Sequence, residues 1–77
     1  MTEKFIQCVT KVSDADLWEG NSRIEQSLWL RQNGFKYTTS PRPRRGFFSA
    51  RIRHSSGTAT FYFHPDDSVV LFLLTFG

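Results

Sequence analysis

Five arginines fall within twelve positions: Arg42, Arg44, Arg45, Arg51 and Arg53. A guanidinium is planar, permanently charged and able to hold a carboxylate or a phosphate through two parallel hydrogen bonds. This concentration therefore points to recognition of anionic groups. Phe47 and Tyr62 are expected on the same sheet face as Arg51 and Arg53, adding flat apolar surface beside the charge. These seven residues form the expected partner-binding set. The charge around them is uneven. Ten basic residues against seven acidic give a net +3. Residues 26–65 hold no acid and carry +7, whereas residues 1–25 and residues 66–77 carry −2 each.

Three function classes compete for this surface. The favoured one is a small non-catalytic binding protein that engages an acidic protein surface, because Arg, Trp and Tyr are enriched at interface hot spots. A single-stranded nucleic-acid-binding module using the same basic and aromatic surface is the alternative. It ranks second because +3 is a small charge for a dedicated nucleic-acid binder. A small His-dependent nuclease stands last. The two histidines, His54 and His64, are expected at opposite ends of one hairpin, on the order of 20 Å apart, too far to act as an acid–base pair. Asp66 and Asp67 beside His64 read as turn formers. The sequence offers no Gly-rich phosphate loop, no zinc-ligand spacing and no nucleophile elbow. No catalytic residue, metal or cofactor is expected.

Seventy-seven residues permit one domain and exclude a two-domain enzyme or a dinucleotide-binding fold. Eight phenylalanines supply much of the apolar volume that such a short chain must gather into a core. The single Cys8 excludes an internal disulfide and reads as a small hydrophobe in a strand. Met1 to Val12, with charge at Glu3 and Lys4, does not resemble a signal peptide. The longest apolar run, Val69 to Leu74, is too short to span a bilayer. A cytoplasmic location without membrane association is the expectation.

The elements that must position the arginines follow from local pattern. Phe5 to Val12 reads as a first strand. Ser13 and Asp16 suggest a capped helical turn over Asp14 to Glu19, and Ser22 with Glu25 a capping box for the main helix. That helix is expected to run to about Asn33 and to stop at Gly34, with Phe35 packing back on Leu30. Its inward face is expected to hold Ile24 and Leu28, with Gln26 and Ser27 outside or at the border, and Trp29 capping the core edge. Beyond it the period changes to two. Lys36 to Ser40 is a short strand, and Ser40 to Gly46 a proline-containing loop. Phe48, Ala50 and Ile52 face inward on the next strand, as do Ala59, Phe61 and Phe63 on the one after, with a turn at His54 to Gly57 between them. Pro65 to Ser68 turns into a last strand, Ser68 to Thr75. The fold class is α+β: one main helix on a small, mostly antiparallel sheet of four to five strands, ordered β-α-β-β-β-β along the chain.

The last strand would be apolar on both faces, more than one helix can cover. A homodimer is therefore expected, with Val70, Phe72, Leu74 and Phe76 at its seam.

From Leu28 to Pro65, the order of a helix ending in Gly34-Phe35 before a sheet resembles the small HicA-type toxin ribonucleases. That family carries a catalytic His directly after a Gly-Ser pair early in the sheet. The corresponding stretch here, Arg45-Gly46-Phe47-Phe48-Ser49, has no His, so the resemblance implies no ribonuclease activity.

Overall fold

A computed structural model describes residues 5–77; the charges at Glu3 and Lys4 lie outside the described residues. The chain forms strand β1 (Ile6–Lys11), a 3₁₀ turn (Asp16–Trp18), helix α1 (Glu25–Gln32), strands β2 (Lys36–Tyr37), β3 (Phe47–Arg53) and β4 (Thr58–Phe63), and helix α2 (Val70–Phe76). The fold is α+β, with the helices packed on one face of a four-stranded sheet ordered β1-β4-β3-β2. β4 pairs antiparallel with both β1 and β3. β2 runs parallel to β3, so the Arg loop between them is a return passage rather than a hairpin.

Alternation on β3 and β4 sends Phe48, Ala50, Ala59, Phe61 and Phe63 into the core, where Ile24, Leu30 and Phe72 meet them. Phe72 is the hub. Its ring lies 5.2 Å from Phe61, 5.5 Å from Phe63 and 5.3 Å from Phe76. Edge-on and tilted stacking of this kind adds about 0.5–1.5 kcal/mol per pair beyond area burial.

Three expectations are corrected. First, residues 70–76 form a helix, not a strand. A short apolar run does not distinguish the two by periodicity. A strand following the Pro65 to Ser68 turn would have to pair beside β4, and both edges of β4 are occupied by β1 and β3. The segment folds over the sheet instead, and its leucines favour a helix. Of the seam residues drawn along that strand, Phe72, 1% exposed, and Phe76 turn into the monomer's own core, whereas Val70 and Leu74 stay exposed.

Second, the box between Ser22 and Glu25 does not form. Ile24 is fully buried and extended (φ −67°, ψ 160°), which delays the helix start to Glu25. The Glu25 N–H donates to Asp16 Oδ2 at 3.0 Å, so the cap comes from the preceding turn. In that turn, Ser13 Oγ accepts the Asp16 N–H as expected.

Third, Leu28 points outward, and Gln26 and Ser27 are buried. Gln26 Nε2 donates to Thr10 Oγ1 at 3.0 Å and to the Lys11 carbonyl at 2.7 Å, and Ser27 Oγ donates to the Asn21 carbonyl. Polar side chains enter the core here because each has its partner. The helix stop is as read. Gly34 adopts φ +94°, the Phe35 N–H reaches the Leu30 carbonyl and the Gly34 N–H the Arg31 carbonyl, which is the Schellman pairing. Trp29 is half-buried at the core edge against Phe72 and Phe76.

Candidate functional site

Both helices pack on one face of the sheet, and the other face carries the arginines. The strand registers set its rows. Gln7, Tyr62 and Ser49 lie side by side, then Val9, Thr60 and Arg51, then Lys11, Thr58 and Arg53. Neighbours in a row stand about 5 Å apart and successive rows roughly 7 Å apart. Arg51, Arg53 and Lys11 therefore project from one surface with the Thr58 and Thr60 hydroxyls between them, and all three cations are exposed. Sequence reasoning missed Lys11. The inward set Cys8, Thr10 and Val12 marks Lys11 as outward, but only the pairing of β1 with β4 brings it beside Arg53's row.

The Arg loop closes over one corner of this face. Its ends are fixed: the Lys36 N–H donates to the Gly46 carbonyl at 2.9 Å and the Thr38 N–H to the Phe48 carbonyl at 2.8 Å. Gly46 takes φ +80°, a conformation open to glycine, and its N–H donates to Asp67 Oδ2 at 2.8 Å. That bond pins the loop to the turn before α2. Pro43 is buried and anchors the middle, while Arg42, Arg44 and Arg45 stay exposed.

Two shallow recesses flank the loop. One, about 360 Å³, is lined by Thr38, Ser40, Arg42, Pro43, Arg44 and Phe47. The other, about 290 Å³, is lined by Thr39, Pro41, Ser49, Ala50, Arg51 and Tyr62. The structure thus groups Arg42, Arg44 and Phe47 in one recess and Arg51 with Tyr62 in the next. Arg53 sits further along the sheet beside Lys11, and Arg45 is exposed but lines neither recess. Phe47 and Tyr62 are both half-buried, so the surface offers guanidinium groups more than bare rings.

Among the described residues, no Arg or Lys side chain lies within 4.0 Å of a carboxylate. The one basic ring that does is His64, whose Nδ1 is 3.9 Å from Asp66 Oδ2. That same nitrogen accepts the Asp66 N–H at 3.1 Å, which requires the neutral ring. The acidic flanks therefore leave the basic face unneutralised. His54 lies at the other end of the hairpin, where its Nε2 donates to the Leu17 carbonyl at 2.8 Å and its ring stacks against Trp18 at 5.2 Å. Trp18, a candidate in the sequence for covering the apolar last segment, is instead 83% exposed and stands next to Arg53's end of the sheet through its contact with His54. The two histidines stay apart, each engaged locally.

Burial pushes the Cys8 thiol above its ordinary range, which suits an inert core residue. Among the described residues, no three His, Cys, Asp or Glu side chains gather to hold a metal ion, and no helix is long and apolar enough to cross a membrane. Comparisons with family models, with curated proteins and with solved structures returned no match.

Proposed function

We propose that this is a non-catalytic binding module of the cytoplasm, whose working surface is the open sheet face together with the Arg42–Arg45 loop, and whose partner is an acidic protein surface. The supporting observation is the unpaired state of the basic side chains. Arg42, Arg44, Arg51, Arg53 and Lys11 are exposed along the sheet face and its covering loop, Arg45 is exposed next to them in the chain, and none of the six lies within ion-pair distance of a carboxylate among the described residues. Charges held out in this way keep their capacity for bidentate contact with carboxylates of a partner. The proline loop half-covers Tyr62 and Phe47, which favours carboxylate recognition over base stacking.

The nucleic-acid reading keeps one observation of its own. The exposed Trp18 ring, backed by His54, would give a base a stacking surface at the Arg53 end of the face. Titration of a fluorescent 20-residue Glu-rich peptide and of a single-stranded oligonucleotide separates the two. The proposal expects peptide binding that the Arg42→Ala, Arg44→Ala, Arg45→Ala triple variant weakens at unchanged fold, because loop residues carry few packing duties. Tighter oligonucleotide binding, falling log-linearly with salt and weakened by Trp18→Ala, would decide for nucleic acid. Equal peptide affinity in wild type and triple variant would move the working surface elsewhere.

A further inference from the structure

Helix α2 is apolar on two opposite sides. Phe72 and Phe76 face the core, and the opposite side presents Val70, Leu71 and Leu74, with Leu73 at the flank. Val70, Leu71, Leu73 and Leu74 are 62%, 59%, 44% and 78% exposed. We infer that this outer side of α2 pairs with the same helix of a second copy of the chain across a two-fold axis.

Charge supports a second copy. An isologous contact sets every residue of the patch near its own counterpart, so a charged patch would repel itself. Residues 68–77 contain no charged side chain, and self-pairing brings no like charges together. The molecule's excess positive charge lies across the sheet. Phe72 packs on Phe61 and Phe63, while their neighbours Thr60 and Tyr62 belong to the opposite, basic face. Pairing through α2 turns both basic faces outward and away from each other. A lipid surface would gain no charge attraction from α2 itself, since residues 68–77 carry no charged side chain and the residues that precede them in sequence are Asp66 and Asp67.

Area supports it as well. With whole Val and Leu residues presenting on the order of 150–180 Å², the four side chains leave roughly 400 Å² of apolar surface. A contiguous apolar patch of that size marks an interaction site rather than scattered surface hydrophobes. Two such patches bury about 800 Å² together, below the standard size of a stable complex, so the dimer is weak and forms only at high concentration.

Sedimentation of the purified chain from about 1 µM to 1 mM tests this. The expected result is a shift from 9.0 kDa toward twice that mass across the series, with Leu71→Asp and Leu74→Asp moving the midpoint at least tenfold at unchanged circular dichroism. A 9.0 kDa species throughout, or a dimer that both variants leave intact, overturns the inference. Should the Asp variants fail to fold, Leu74→Cys replaces them. Under oxidation it should cross-link far more than Ser55→Cys, placed at the exposed hairpin turn, with Cys8 remaining buried in both. Equal cross-linking of the two overturns the inference.

Discussion

Truncating Phe72 and Leu74 in turn separates a helix from a strand over residues 70–76. In a strand the two side chains would share a face and a fate, since they are two positions apart. In the helix, Phe72 is 1% exposed and Leu74 78%. Phe72→Ala removes a ring that sits 5.2 Å from Phe61, 5.3 Å from Phe76, 5.5 Å from Phe63 and 5.9 Å from Trp29. Emptying such a site costs about 3–5 kcal/mol. A domain of this length holds only about 4–12 kcal/mol in total, so the variant loses a large part of its stability. Leu74→Ala, measured at low micromolar concentration where the chain is monomeric, stays within about 0.5 kcal/mol of wild type. Urea unfolding followed by tryptophan fluorescence reads both. At a slope of roughly 1 kcal/mol per molar urea, the Phe72→Ala midpoint falls by about 3 M or more and the Leu74→Ala midpoint barely moves. Similar losses for the two variants, or a loss below about 1 kcal/mol for Phe72→Ala, would refute the inward placement of Phe72 and the helical period with it.

Gln26→Ala strips the Thr10 hydroxyl and the Lys11 carbonyl of their shared donor and should cost about 1–3 kcal/mol in urea unfolding. Ser49 lies under Thr39 and Pro41 with its Oγ buried and, among the described residues, without a hydrogen-bond partner, so Ser49→Ala should be neutral or raise stability by up to about 1 kcal/mol. The Cys8 thiol is held above its ordinary value by burial, so its neutral form is favoured in the folded chain. The stability this lends is complete below the unfolded thiol value of about 8.5 and is lost as pH rises through the higher folded value. Unfolding measured between pH 7 and pH 10 should show that decline in wild type and a shallower one in Cys8→Ala.

Much of the fold is legible because local chemistry and global packing agree. Gly34 and Phe35 end α1 through contacts internal to seven residues, and the period-two pattern holds along β4 and the second half of β3, while Ser49 on the outer face of β3 is buried. Where the reading fails, a non-local fact decides. The face of α1 is set by Gln26 and Ser27, whose burial is acceptable only because Thr10, Lys11 and Asn21 meet them. Nothing within the helix announces those partners. The run Val69 to Leu74 reads as strand or helix alike until β1 is seen to occupy the second edge of β4. For the candidate site, the arginines on β3 were visible through alternation. Lys11 and Trp18 were not, because they join Arg53 through strand pairing and through the His54 contact rather than through spacing.

The proposed working surface of this protein is its unpaired basic face. Adding the Glu-rich 20-residue peptide to isotope-labelled protein and following backbone amide and arginine side-chain resonances tests it at each position. Saturable shifts are expected at Lys11, along residues 42–53 and at Thr58 to Tyr62, with α1 and the outer side of α2 unmoved. Shifts confined to the helical side, or no shift of any arginine resonance at millimolar peptide, would contradict it.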